Sequence, residues 1–241
     1  MYNILLFRPE EKNENINING VRIINIPLTK LVVDVGKEEI DKLKSESYQY
    51  IIFTSRFGYS TFKNFFSDSE FSNFINGKKI IAIGEKTAEG ISNVTIPKKQ
   101  TSEGIVEIID KNKKILLVRS LDGNPDIIIK LLTKKADLKV LNLYHAKIND
   151  ENSKKMYEEI KKTNIDAVIF TSSMIVNVFF KIFSKYEKPI NLLPKLIISI
   201  GTPTAQTLLK YGVNSFSMGI PNVKKAIEKA MELLTIKDSK P

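Results

Sequence analysis

Short apolar runs alternate with amphipathic stretches along most of the chain. Runs rich in Ile and Val that alternate with helical spacing are typical of parallel sheets covered on both faces by helices. The last helical stretch is the clearest, since its apolar residues step at helical intervals: Val223, Ala226, Ile227, Ala230, Met231 and Leu234. We predict an α/β fold with strands at 2–7, 48–54, 78–84, 113–120, 138–145, 166–172, 195–201 and 213–218.

One strand-turn-helix pattern occurs twice. The stretch "IIFTSRFGYSTFKNFF" (51–66) aligns without a gap to "VIFTSSMIVNVFFKIF" (168–183), 117 positions later. A second pair, "IIAIGEKTAEGI" (80–91) and "IISIGTPTAQTL" (197–208), keeps the same offset of 117. A looser echo pairs "ILLFR" (4–8) with "ILLVR" (115–119). Two motifs that keep one offset indicate two similar α/β domains.

The order of the strands indicates that the two domains are not consecutive. Only one clear strand, 2–7, precedes the first repeat, whereas strands and helices continue well past the second. We therefore predict two similar parallel-sheet domains, one inserted in the other and joined by a two-stranded linker. The predicted limits are 1–26 plus 149–241 for the outer domain, 35–142 for the inserted domain, and 27–34 and 143–148 for the linker strands.

Composition excludes several kinds of site. The chain has no cysteine and one histidine, His145, so neither a disulfide framework, a thiolate nucleophile nor a His-rich metal site is expected, and no metal ligands are assigned. The start, "MYNILLFRPEEK", is too short and too charged for a signal peptide. No apolar run approaches the roughly 18–20 residues of a membrane span. We expect a soluble cytoplasmic protein that does not contact membranes.

The net charge of +10 favours an anionic partner. Only four of the 37 basic residues are arginine, the side chain on which specific nucleic-acid recognition depends most, and the lysines are scattered. A nucleic-acid partner is therefore not expected, most lysines are interpreted as solvated, and an acidic small molecule stays open as the ligand.

Hydroxyl residues follow several predicted strands. In parallel α/β domains, ligands bind at the carboxyl ends of strands, beside helix N-termini whose free N–H groups suit carboxylates and phosphates. Thr54, Ser55, Thr87, Ser172 and Thr204 all have such positions, and two domains facing each other would form a cleft. Ser and Thr before a helix are more often simple caps than ligand contacts, so the capping interpretation stays open for each hydroxyl.

Glycines precede two of these predicted helices. Gly84 and Gly201 are interpreted as relieving a tight turn, with Thr202 as an N-cap and Pro203 as the first helical residue. Neither segment matches the GxGxxG or GxxxxGK[ST] pattern, so a nucleotide site has no support.

Four further side chains have two interpretations each. Tyr144 ends a predicted strand at the domain junction, where it is either a packing residue or a proton donor. His145 is interpreted as structural or exposed rather than catalytic. Arg8 and Arg119 end equivalent strands, where each could form a local ion pair or reach an acidic ligand.

The order and spacing of these motifs resemble uroporphyrinogen-III synthases over nearly the whole chain. The doubled FTS and IGxxTA units and the strand "KVLNLYHAK" (139–147) carry the resemblance. It implies two α/β domains, one inserted in the other, and conversion of hydroxymethylbilane to uroporphyrinogen III with loss of water and inversion of ring D. This is a cyclising hydro-lyase reaction (EC 4.2.1.75) that uses no cofactor.

The resemblance also implies roles for individual residues. Tyr144 would assist departure of the hydroxyl, and Thr54, Ser55, Thr87, Ser172, Lys195 and Thr204 would bind the polycarboxylate tetrapyrrole. The expected enzyme is a monomer. The alternative hypothesis is a non-catalytic two-lobed protein that binds an acidic small molecule.

Overall fold

The structure is a computed structural model that describes residues 1–9, 18–219 and 222–238. Its strands are β1 Tyr2–Leu6, β2 Val21–Asn25, β3 Thr29–Val33, β4 Tyr50–Phe53, β5 Lys79–Ala82, β6 Val94–Thr95, β7 Lys114–Ser120, β8 Asp137–Ile148, β9 Ala167–Phe170, β10 Leu196–Ser199 and β11 Phe216–Ser217. Parts of the predicted outer domain, residues 10–17, 220–221 and 239–241, lie outside the described residues.

Helices connect most of these strands. They are α1 Lys37–Lys44, α2 Arg56–Lys63, α3 Asp68–Ile75, α4 Glu85–Ala88, α5 Ser102–Glu107, α6 Asp126–Thr133, α7 Ser153–Lys162, α8 Ser173–Phe183, α9 Thr202–Lys210 and α10 Val223–Asp238, with a short 3-10 helix at Pro189–Leu192. No helix within the described ranges is long and apolar enough to cross a bilayer.

The chain divides into two compact units, one formed by residues 1–30 with 147–241 and the other by residues 31–146. We call them the outer unit and the inserted unit. The covalent chain passes from one to the other within β3 and again within β8. The predicted α/β class, with one parallel-sheet domain inserted in the other, is confirmed.

The outer unit has a sheet of order β11-β10-β9-β1-β2, with every neighbouring pair parallel. Alternate residues of β1 enter different cores. Leu5 packs in a core with the phenylalanines of α8, whereas Ile4 and Leu6 pack in a core with α10. Both faces of the sheet are therefore buried, which is why its strands read as continuous apolar runs.

The inserted unit has a sheet of order β3-β8-β7-β4-β5-β6. Neighbours from β8 to β6 are parallel, and again two cores cover the two faces. The linker ladder begins with Asn149 N–H donating to Leu28 O at 2.9 Å and ends with Asp34 N–H donating to Leu143 O at 3.2 Å. Because the residue numbers on the two strands change in opposite directions, β3 and β8 are antiparallel.

The repeated phenylalanines have the same role in both units. Phe53 and Phe62 are fully buried with ring centroids 5.9 Å apart, and Phe170 and Phe179 are fully buried with centroids 5.4 Å apart. In each unit, a phenylalanine at the end of a strand packs on one in the helix that follows. The sequence repeat is therefore a repeat of core packing.

Several predicted boundaries were wrong. The predicted strands 213–218 and 78–84 shorten to Phe216–Ser217 and Lys79–Ala82, while β2 and the two-residue β6 were not predicted at all. Tyr144 does not end a strand, because β8 continues to Ile148. Beyond Tyr144 the strand has left β7 and pairs with β3, so one strand serves both the sheet and the linker.

Candidate functional site

The first candidate corner lies at the carboxyl end of β4 in the inserted unit. Ser55 is the N-cap of α2, with extended backbone and a side-chain oxygen that accepts from Gly58 N–H at 2.9 Å. Thr54 Oγ1 donates to the carbonyl of Val118 on the neighbouring strand at 3.4 Å. The proton of the Thr54 hydroxyl is thus directed to the sheet, and the Ser55 side chain stabilises the first turn of the helix.

Tyr144 lies in the same corner. Its hydroxyl is 2.7 Å from Ser55 Oγ, and only 3% of the residue is exposed. The ring packs edge-to-face on Phe57 at 4.7 Å between centroids. Ser55 and Tyr144 were both predicted site residues, but their contact was not predicted.

The electrostatic environment keeps Tyr144 protonated. Burial raises the pKa of its phenol above the ordinary value, the hydrogen bond with Ser55 opposes the increase, and the negative charge of Asp122 adds to it. Asp122 itself is fixed, because its Oδ2 accepts from Ala146 N–H at 2.6 Å. At neutral pH the corner therefore offers a neutral phenol that can donate one hydrogen bond.

Gly58 makes room for this arrangement, and sequence analysis did not identify it. A Cβ at Gly58 would lie 3.0 Å from Ser55 Oγ and 3.6 Å from Tyr144 Cε1. The repeat contained a signal for this residue, since Gly58 aligns with the bulky Ile175 at the 117-residue offset.

The second corner of the inserted unit follows β5. Gly84 is the N-cap of α4, with no side-chain cap, and Thr87 is 6% exposed in the first turn. The interpretation of Gly84 as a tight-turn glycine was wrong, because its φ of −168° is extended backbone. A Cβ at Gly84 would lie 2.4 Å from Gln100 Oε1, the end of an exposed and flexible side chain that would have to move.

The corners of the outer unit repeat this plan. Ser172 caps α8 by accepting from Ile175 N–H at 3.2 Å, and Thr171 Oγ1 donates to Phe7 O at 3.2 Å. Gly201 precedes α9 with extended backbone and no side-chain cap, and Thr204 is 3% exposed. The interpretation of Gly201 as a tight-turn glycine was also wrong, because its φ of −174° is extended backbone.

Two predictions about the β10–α9 segment differ from the structure. Thr202 is the first helical residue rather than the N-cap, which places Pro203 second. Lys195 is exposed and precedes β10, whereas Thr204 follows it. The two residues therefore lie at opposite ends of β10. Lys195 is not at the edge of the outer-unit sheet that carries Ser172 and Thr204.

Arg119 has a local structural role. The side chain is 3% exposed, and its guanidinium donates to the carbonyls of Ser120, at 2.9 Å, and Gly123. Burial lowers the pKa of Arg119 from its usual value. Of the two roles left open, a local one is observed, with backbone carbonyls rather than a carboxylate as partners.

His145 lies beside Tyr144 in sequence but has a different partner. Its Nδ1 forms a hydrogen bond with Asp34 Oδ2 across the β3–β8 ladder, and both side chains are partly exposed. The pair ties together two adjacent linker strands. The structural interpretation of His145 agrees with this contact.

Comparison with known proteins places the chain in one family. Residues 10–219 match the profile described as uroporphyrinogen-III synthase HemD. A provisionally named uroporphyrinogen-III synthase of Archaeoglobus fulgidus is 31% identical over 145 residues, 57% of this chain and 62% of that protein. A porphyrin biosynthesis protein HemD of Ruminiclostridium josui is 24% identical over 95% of this chain and 48% of that protein. The chain thus spans less than two thirds of the length of either relative.

A solved structure has the same fold. The crystal structure of uroporphyrinogen-III synthetase from Helicobacter pylori 26695 superposes with a TM-score of 0.64 and covers 97% of this chain and 100% of the solved chain. Its sequence identity is 18%, so the likeness concerns the fold.

Proposed function

The chain belongs to the uroporphyrinogen-III synthase family, and from that premise we propose that it cyclises hydroxymethylbilane to uroporphyrinogen III. The reaction removes water and inverts ring D, which makes the enzyme a cyclising hydro-lyase (EC 4.2.1.75). The observation that supports this most is the buried, neutral Tyr144 phenol, held by Ser55 at the carboxyl edge of a parallel sheet.

Tyr144 would act on the leaving hydroxyl. The pyrrole attached to the terminal carbon drives the hydroxyl out, and a donor that hydrogen-bonds to the departing oxygen lowers the barrier. A phenol whose pKa is raised is a weak acid but a dependable neutral donor. We therefore assign Tyr144 to hydrogen-bond donation during departure of the hydroxyl.

The substrate's carboxylates need donors as well. The N-terminus of α9 follows Gly201, which offers no side-chain cap. Pro203 has no N–H group and Thr204 N–H donates to Gly201 O at 3.1 Å, so among the first three helical residues the Thr202 N–H is the one proposed to bind a carboxylate. Thr204 and Thr87 would add hydroxyl contacts at their respective corners. The Ser172 and Thr54 side chains already form hydrogen bonds within the fold, with Ile175 N–H and Val118 O respectively. At these two corners the substrate would therefore bind as a donor to the hydroxyl oxygen, or would bind to a neighbouring main-chain amide.

For Lys195 we propose only a long-range electrostatic attraction of the anionic substrate. Its exposed position before β10 suits a contribution to the positive field that draws a polyanion toward the protein. A side chain with that role alone should be replaceable at saturating substrate. Lys195→Ala is therefore expected to raise KM at low salt and leave kcat unchanged.

The direct test supplies the purified chain with freshly generated hydroxymethylbilane and separates the uroporphyrin isomers after oxidation. We expect isomer III, and we expect Tyr144→Phe to lower kcat about tenfold to a hundredfold through loss of a hydrogen bond to the developing charge. Formation of isomer I alone, at the spontaneous rate, would contradict the proposal. Tight binding of the product without turnover would favour the two-lobed binding protein.

The proposed enzyme works as a cytoplasmic monomer without a cofactor. The proposed monomer is the state that the family resemblance implies. Light scattering at working concentrations tests this. A dimer mass would overturn the monomer and leave the proposed chemistry intact.

A further inference from the structure

The Ser55 hydroxyl lies between two hydrogen-bonding groups. Its oxygen accepts from Gly58 N–H at 2.9 Å and is 2.7 Å from the Tyr144 hydroxyl. A serine hydroxyl has one proton and two lone pairs. The amide occupies one lone pair, so a proton and a lone pair are left for Tyr144 and for any ligand.

Two proton arrangements satisfy this geometry. If Tyr144 donates to Ser55, the phenol has no proton left for a substrate. If Ser55 donates to Tyr144, the phenol proton is free to point at a third oxygen. A ligand acceptor beside the phenol favours the second arrangement, because every donor in the series then has an acceptor.

The second arrangement is a directed chain of hydrogen bonds. It runs from the Gly58 amide at the helix N-terminus, through Ser55, to the Tyr144 phenol. Each bond polarises the next, so the helix end strengthens the phenol as a donor. Resting on the proposed function, we propose that Ser55 is a positioning residue that aims the Tyr144 proton at the leaving oxygen, and that it is not a substrate ligand.

The outer unit provides an internal comparison. Ser172 makes the same helix cap, with Ile175 in the place of Gly58 and an N···O distance of 3.2 Å. Capping by serine therefore does not require a glycine at the third helical position. In the inserted unit, a Cβ at position 58 would lie 3.0 Å from Ser55 Oγ and at an ordinary contact distance, 3.6 Å, from Tyr144 Cε1.

The neighbours of the phenol agree with a held donor. Phe57 covers the ring edge-to-face, and Asp122, the charged group that acts on the phenol, favours its protonated form. Burial removes competing water from the ring, so the hydrogen bond with Ser55 determines where the phenol points.

A double-mutant cycle tests the proposal. Ser55→Ala is expected to lower kcat about tenfold with KM changed less than about twofold, because one hydrogen bond to the phenol is lost. In a Tyr144→Phe background the same change should leave kcat unaltered, since no phenol is left to aim. Ser55→Thr, which keeps the hydroxyl, should restore most of the rate.

Ser67→Ala is the matched control for loss of a cap. Ser67 caps α3 in the same unit through a reciprocal capping box with Glu70, and its side chain hydrogen-bonds to Glu70 and Ser69 rather than to Tyr144. Its alanine variant should lose a similar amount of stability and keep full kcat. Equal loss of kcat from Ser55→Ala in both Tyr144 backgrounds would overturn the proposal, and so would a raised KM with unchanged kcat.

A spectroscopic readout separates this inference from the proposed activity. With carbon-13 in the tyrosine rings, the Tyr144 resonance is identified by its absence in Tyr144→Phe, and its titration is followed by NMR. Ser55→Ala should raise the pKa of Tyr144 further, because a donor that stabilises the phenolate is removed. An unchanged pKa of Tyr144 in Ser55→Ala would contradict the positioning role of Ser55 even if the protein makes isomer III. A raised pKa of Tyr144 in Ser55→Ala, in a protein that makes only isomer I, would support the Ser55–Tyr144 hydrogen bond and contradict the proposed synthase activity.

Discussion

Substitution of Gly58 by alanine should separate catalytic rate from stability. Gly58 is the third residue of α2, and its amide is the one that Ser55 caps. The new Cβ would be 3.0 Å from Ser55 Oγ, so that oxygen must move by a few tenths of an ångström. The same movement shifts the oxygen relative to Tyr144.

Two contributions to stability nearly cancel. Alanine is favoured over glycine within a helix by roughly 0.5–1 kcal/mol. A weakened cap costs up to about 1 kcal/mol, and the intact cap of Ser172 beside Ile175 shows that a side chain at this position is compatible with capping. The free energy of unfolding should therefore change by less than about 1 kcal/mol.

Catalytic rate has no such compensation. Weakening the Ser55–Tyr144 hydrogen bond should cost about 0.5–1.5 kcal/mol in the transition state, which is roughly a twofold to tenfold loss of kcat. Initial rates of isomer III formation and urea unfolding, measured on the same preparation, give both quantities. Gly36→Ala is the control for rate, since no atom lies within 4 Å of its added Cβ.

A kcat for Gly58→Ala equal to that of the wild type would contradict this prediction. A kcat that falls only in proportion to the fraction of unfolded protein would contradict it as well. Either result would mean that the Ser55 oxygen can move without consequence for the phenol.

Three further outcomes follow from the same contacts. Thr54→Val and Thr171→Val should each lower the urea-unfolding free energy by about 0.5–1.5 kcal/mol by removing a bond to a strand carbonyl, and unchanged stability in both would contradict this. Phe179→Ala should cost about 3–5 kcal/mol by the same assay, and a loss below about 1 kcal/mol would show that the α8 core refills. Burial raises the pKa values of Tyr48 and Tyr144, so the folded state keeps two protons that the unfolded state loses at alkaline pH. The free energy of unfolding should therefore fall above about pH 10, and it should fall less in Tyr48→Phe. A free energy of unfolding that does not change with pH in this range would contradict the prediction.

The fold could be predicted because its signals are local. A strand buried on both faces must be apolar along its whole length, so β4, β7 and β9 are visible as runs in the sequence. The repeat showed that two such domains exist, since Phe53 and Phe170 occupy equivalent places in two cores. The residue limits proposed for the domains and linker stay predictions.

Strand ends and weak strands were less predictable. β2 mixes exposed and buried residues, and the two-residue β6 has almost no pattern of its own; both form because a neighbouring strand offers backbone partners. The same holds for β8, which continues beyond Tyr144 because β3 replaces β7 as its partner. Hydrogen bonds between strands are not encoded in either strand alone.

The amino-acid sequence by itself determined the α/β class, the duplication, the insertion of one domain in the other and the strand-to-helix corners that carry Thr54, Ser55, Ser172 and Thr204. Only the tertiary structure decided which hydroxyls meet. Ser55 and Tyr144 are 89 residues apart, and their contact exists because the β4–α2 corner and the point where β8 leaves β7 lie at the same edge of one sheet. Local pattern specifies which face of an element is buried, whereas the pairing of polar atoms depends on how separate elements pack together.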